Sequence, residues 1–146
     1  MKNPLMVLPT AFPAMMAFAK ELKNDSVPAR LLSLIHLRAS QINACSVCVL
    51  MHAKELEKLD ETRDRLTALA AWRETTLYSP AERAVLALTE ETTRIADKSD
   101  PVSDATWAEV AKHFDETQCA TIVLNIAMIN FFNRLNAATR QVAGAH

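Results

Sequence analysis

Residues 115–139 read DETQCATIVLNIAMINFFNRLNAAT. Asp115-Glu116-Thr117-Gln118 has the form of a capping box, in which the side chains at both ends of the first turn satisfy each other's backbone amides. From Cys119 the run continues to about Thr139 without glycine or proline, and apolar residues fall on nearly every side of the implied helix. A helix of that kind belongs in the buried centre of a fold or in a seam between subunits. The same grammar recurs upstream. Ser79-Pro80-Ala81-Glu82 combines a capping serine, a first-turn proline and a glutamate three residues after the cap, opening a helix to about Ala96. Ser103 caps another through Trp107 to His113, and Pro28 precedes one from Ala29 to about Ile42 that carries Leu31, Leu34, Ile35 and Leu37. Phe12 to Leu22 places Phe12, Met15, Met16, Ala19 and Leu22 on one face, and Asp60 to Trp72 reads as a shorter helix. Between them runs Cys45 to Leu59, either started afresh at Asn43 or continuous with the helix before it.

Gly144 is the one glycine among 146 residues. Tight hairpins, sheet bulges and phosphate-cradling loops need backbone angles that glycine supplies most readily. Its scarcity argues against sheets and against nucleotide-binding loops, and predicts a compact all-α subunit of six to seven helices. The length suits one domain over residues 1–146 with a real core. A formal charge of −1 and the lack of any basic patch speak against nucleic acid. The N-terminal apolar stretch is interrupted by Pro4, Pro9 and Pro13, too short for a signal-peptide core. Nothing reaches the ~18 uninterrupted apolar residues of a membrane span. The expectation is a cytoplasmic protein without membrane attachment. There, cysteines spaced C-x-x-C point to redox or metal chemistry more than to a structural staple.

The pair lies in Cys45-Ser46-Val47-Cys48-Val49-Leu50-Met51-His52. Positions 45, 48 and 52 share one helical face. At a helix start, free amides and the helix dipole favour a thiolate, and His52 can accept or return a proton. Two thiols and a base suffice to reduce a peroxide through a sulfenic acid and then a disulfide. Other readings of the residues are two ordinary buried cysteines, or a zinc site completed by His36 or His113. Dipole reasoning favours Cys45 as the attacking thiol. Histidine geometry favours Cys48, because Cys45 lies roughly 10.5 Å from His52 along the axis.

The stretch Leu37-Arg38-Ala39-Ser40-Gln41-Ile42-Asn43-Ala44, continuing through Cys45 and Cys48 to His52, resembles the signature of the carboxymuconolactone decarboxylase superfamily. Specifically it is similar to the alkylhydroperoxidase AhpD-like branch, with its C-x-x-C-x-x-x-H core. Leu69-Ala70-Ala71-Trp72-Arg73, Ser79 to Ala84 and Asn130-Phe131-Phe132-Asn133-Arg134-Leu135 extend the resemblance over roughly residues 12 to 140. It implies an all-α homotrimer or homohexamer and thiol-dependent reduction of organic hydroperoxides, with electrons from a thiol reductant or redox adaptor protein. No cofactor or metal is expected. Under the resemblance Cys48 attacks, Cys45 resolves and His52 serves the proton relay. Two positions depart from the family pattern: Ser33 stands where a glutamate is usual, and Val47 where an aromatic residue or histidine is usual. His36, one turn from Ser33, is a candidate substitute. Rival functions are a non-enzymatic redox sensor or interaction protein, and a lactone decarboxylase.

The remaining chemistry-bearing residues read as structural. Cys119 and the methionines are core filler. Ser40, Gln41 and Asn43 are backbone-bonding groups around the thiols. His113 suits a helix C-terminus. Asn125, Asn130 and Asn133 with Arg134 need polar partners if buried, and subunit contacts are the expected source.

Overall fold

The computed structural model describes residues 1–144 and contains eight α-helices and no strand among them. They are α1 (Pro4–Val7), α2 (Ala11–Glu21), α3 (Ala29–Ile42), α4 (Ser46–Lys58), α5 (Arg63–Ala68), α6 (Pro80–Thr93), α7 (Asp104–Ala111) and α8 (Glu116–Ala138). Short 3-10 segments follow α5 (Leu69–Glu74) and α6 (Ile95–Asp97). Seven helices match those expected from caps and spacing. The eighth, α1, is a single turn with Pro4 in its first turn and Asn3 as its cap, too short to show an apolar period. Both capping boxes form. Ser79 accepts from the Glu82 amide while Glu82 accepts from the Ser79 amide, and Asp115 and Gln118 do the same for α8.

The buried axis is α3, not α8. Every residue from Leu31 to Ser40 is buried, because α3 packs against α4, α6 and α8 together. One side of it joins Val85, Leu88, Val110, Ile122 and Ile126; the other joins Leu56, Leu69, Trp72 and Leu86. Helix α8 buries only one face, leaving Leu124 and Phe131 about two-fifths exposed. Of the expected apolar face of α2 only Leu22, the residue after its last turn, is fully buried; Met15 and Ala19 are half-buried, and Phe12 and Met16 stay open. The buried asparagines also depart from expectation, since their partners lie within the subunit. Asn125 bonds His36 and the carbonyls of Thr121 and Leu22. Asn130 and Asn133 both accept from Asn43, and donate to Thr93 and Ser40 respectively. A side-chain amide beside a helix backbone can reach its own preceding turn, so no second subunit is needed to satisfy it.

Helices α3 and α4 are separate, and the break positions the cysteines. Asn43 closes α3 instead of opening α4, and Ala44 adopts the left-handed region at φ 52°. The Cys45 amide bonds Ser40 and the Ala44 amide bonds Gln41, which is a Schellman ending. Cys45 thereby becomes the extended residue capping α4. A left-handed alanine costs about 1 kcal/mol relative to glycine. Ala44→Gly should therefore stabilise the fold by about that much, raising the melting temperature by about 2–4 °C. A melt unchanged or lowered would show that the turn carries no such strain.

Candidate thiol active site

Cys45 and Cys48 form a disulfide with their Cα atoms 5.4 Å apart. Both lie in a small cluster with Ala39 of α3 and Ile129 of α8, and their residues are only 5% and 1% exposed. Cys48 sits in the first turn of α4, whose early amides lack intrahelical partners. His52, the seventh residue of α4, is buried one turn further on.

Hydrogen-bond bookkeeping determines the protonation of both nearby histidines. The His52 Nδ1 lies 2.7 Å from a Glu55 carboxylate oxygen, which can only accept, so Nδ1 carries the proton. Its Nε2 is buried and has no hydrogen-bond partner. In the neutral ring that nitrogen presents a bare lone pair. The His36 ring lies tilted against it with centroids 4.9 Å apart, its Nε2 lying 3.0 Å from Asn125 Oδ1. The Asn125 amide nitrogen is engaged with backbone carbonyls, so its oxygen faces His36 and His36 is the donor. Burial pushes the His36 pKa down to about 3, with His52 nearby acting in the same direction. Burial also lowers that of His52, against the opposing pull of Glu55. A neutral His52 held by a carboxylate can take a proton at Nε2. His36 is bound into the structural network instead and is not placed as the relay substitute.

These shifts make acid destabilising. The unfolded chain protonates His36 near 6.5, whereas the folded chain resists until about 3, so the unfolded state binds more protons between those values. Stability from this residue should fall by about 2 kcal/mol between pH 6.5 and 4.5. His36→Gln should flatten that limb in melts recorded at the two pH values. An unchanged slope would place the acid sensitivity elsewhere.

The sequence-derived site residues Cys45, Cys48 and His52 occupy one end of α4. Ser33 is buried in α3, and Val47 packs beside the cysteines. His113 lies apart from them, at the end of α7, with Glu109. Cys119 packs on the core, as expected, and burial pushes its thiol pKa up. Among the described residues, no group of three or more His, Cys, Asp or Glu side chains converges as metal ligands. Two polar residues escaped the sequence reading. Glu55 was visible in principle as the i+3 neighbour of His52. Asn136, whose amide lies 3.2 Å from Cys48 Sγ and 3.6 Å from Cys45 Sγ, had no local signal, because it comes from the far end of α8.

The signature's outlying pieces converge on a second network. Glu90 of α6 accepts from Arg38 of α3 at 2.7 Å, from Trp72 Nε1 at 2.9 Å and from Arg73. Burial alone would raise the Glu90 pKa, but bonds from Arg73, Trp72 and Arg38 hold it below the usual carboxylate range.

The carboxymuconolactone decarboxylase family model matches residues 9–91. The chain belongs to this family. It is 38% identical over 132 residues to the uncharacterised protein YdfG of Bacillus subtilis (strain 168), an alignment covering 90% of this chain and 88% of YdfG. It also superposes with TM-score 0.90 and 30% identity on a crystal structure of a protein of unknown function from Agrobacterium tumefaciens, proposed to be the antioxidant defence protein AhpD. That match covers 99% of this chain and 97% of the other. The apo debrominase Bmp8 shares the fold at TM-score 0.79 and 24% identity, covering 98% of this chain and 74% of Bmp8. Family membership and the fold place the chain on the AhpD-like side of the family. No helix among the described residues is long and apolar enough to cross a membrane.

Proposed function

We propose that this family member is a thiol-dependent reductase of organic hydroperoxides. What supports the reading is the pairing of the Cys45–Cys48 disulfide with a buried His52 whose Nδ1 is held by Glu55 and whose Nε2 is free. In the reduced enzyme His52 takes the Cys48 proton. The thiolate attacks the terminal peroxide oxygen, the O–O bond breaks, and the leaving alkoxide receives the proton as an alcohol. The Cys45 sulfur then attacks the Cys48 sulfenic acid and releases water, leaving the disulfide. A dithiol reductant or redox adaptor protein restores both thiols by exchange. Glu55 takes the orienting role for which Ser33 is unsuited, since a hydroxyl stays neutral and cannot stabilise an imidazolium. The cytoplasm supplies reducing thiols for this cycle. Open apolar side chains on α2 and α8 (Phe12, Met16, Phe18, Leu124 and Phe131) are the surfaces through which we place a homotrimer or homohexamer.

Near-complete burial of both sulfurs favours a second reading, a sensor that oxidises once and then changes its contacts. Cumene hydroperoxide consumption with excess dithiothreitol and substoichiometric protein separates the two. The enzyme reading expects many equivalents consumed per subunit, abolished by prior alkylation. A single equivalent would favour the sensor.

A further inference from the structure

Cys48 presents an electrostatic problem. Its residue is 1% exposed, and burial in apolar surroundings disfavours a thiolate. Burial lowers the His52 pKa, which disfavours the imidazolium left when His52 takes the Cys48 proton, and no lysine or arginine bonds to either sulfur among the described residues. The helix start of α4 helps, but a buried anion also calls for a directed donor.

A chain of assigned hydrogen bonds delivers one. The Asn3 Oδ1 accepts from the Leu5 amide as the cap of α1, so the Asn3 amide nitrogen turns outward. It donates to Asn136 Oδ1 at 3.5 Å. That leaves the Asn136 NH₂ pointing at the sulfurs, nearer to Cys48 than to Cys45. The Asn136 backbone is also pinned, its carbonyl accepting from the Gln141 amide at the end of α8. The orientation of the amide is therefore dictated by its partners.

We propose that Asn136 is the hydrogen-bond donor that stabilises the Cys48 thiolate, with Asn3 as the residue that holds it in that orientation. A disulfide sulfur is a weak acceptor, whereas a thiolate carries full charge. The bond therefore strengthens when the pair is reduced and Cys48 loses its proton. The N-terminal turn thus contributes to nucleophile activation from outside the cysteine motif. The assignment rests on the reading of Cys48 as the attacking thiol.

The test measures the thiolate and not turnover. Full-length Cys45→Ser protein, which leaves one site thiol, is reduced and alkylated with iodoacetamide across about pH 5 to 10, and Cys48 labelling is followed by peptide mass spectrometry. Adding Asn136→Leu should raise the Cys48 pKa by about one unit, which is about tenfold slower labelling below both values. Asn136→Asp, nearly isosteric, should raise it further by placing a carboxylate against the sulfur. Asn3→Ala should give a smaller rise, since the donor remains but is no longer held. If the leucine variant fails to fold, the aspartate variant decides. A merely structural Asn136 would lower the melting temperature and leave the Cys48 titration of the parent protein intact, and that result overturns the proposal. Such a failure would leave the hydroperoxide cycle standing, because wild-type turnover is measured separately.

Discussion

Cys48→Ser should lower hydroperoxide turnover by on the order of 10³-fold or more, as expected when a nucleophile is removed from a set of groups acting as a unit. Serine keeps the shape but not the acidity, and its hydroxyl stays protonated even beside a neutral His52. Cys45→Ser should behave differently. Its Cys48 can still attack once, and with no resolving thiol the sulfenic acid should accumulate. Dimedone trapping followed by peptide mass spectrometry distinguishes them: Cys48 labelled in the Cys45→Ser protein, and little Cys45 labelled in the Cys48→Ser protein. The reverse pattern would exchange the two roles, and would mean that the end-of-helix position of Cys45 outweighs the turn-to-turn spacing from Cys48 to His52.

Glu90→Gln should cause the largest loss of stability. The substitution preserves shape but removes the only carboxylate bonded to Arg38 among the described residues, and Arg38 is 8% exposed. Arg73, with its side chain half exposed, can turn to solvent, and Arg38 cannot. Removing one partner of a buried ion pair costs about 3–5 kcal/mol, here on the order of 10 °C in melting temperature. Because the Glu90 pKa is lowered, its contribution is present above the ordinary carboxylate pKa and is lost as pH falls through the folded value. The wild-type and variant melts should therefore converge in strong acid. A Glu90→Gln protein melting within a degree or two of wild type at neutral pH would show that the Arg38 charge finds adequate partners without it, Gln41 being the available one.

Helix ends explain why boundaries were harder to read than helices. Three helices close through left-handed residues that are not glycine: Ala44 after α3, Asp60 after α4 and Arg140 after α8. In each, the next residue's amide bonds five residues back, from Cys45 to Ser40, Glu61 to Leu56 and Gln141 to Asn136. The packing of the flanking helices overrides the preference for glycine there. A sequence with one glycine gives no local cue to these stops, so the turn geometry alone decides the break between α3 and α4.

The amino-acid sequence by itself determined the all-α architecture, seven of the eight helices, and the placing of Cys48 and His52 one turn apart on α4, with Cys45 at its start. Each of these depends on contacts within about one or two helical turns, where caps, proline positions and apolar spacing act directly. Tertiary structure alone decided that α3 is the buried axis and that the asparagines of α8 are satisfied within the chain. It alone brought Arg38, Trp72 and Arg73 to Glu90, Asn136 to the sulfurs, and Asn3 to Asn136. Asn136 lies 88 residues from Cys48 along the chain, so no periodicity could pair them. The pairing exists because α8 crosses α3 and ends beside the start of α4, where a side-chain amide is drawn to the polar sulfur in an otherwise apolar cluster.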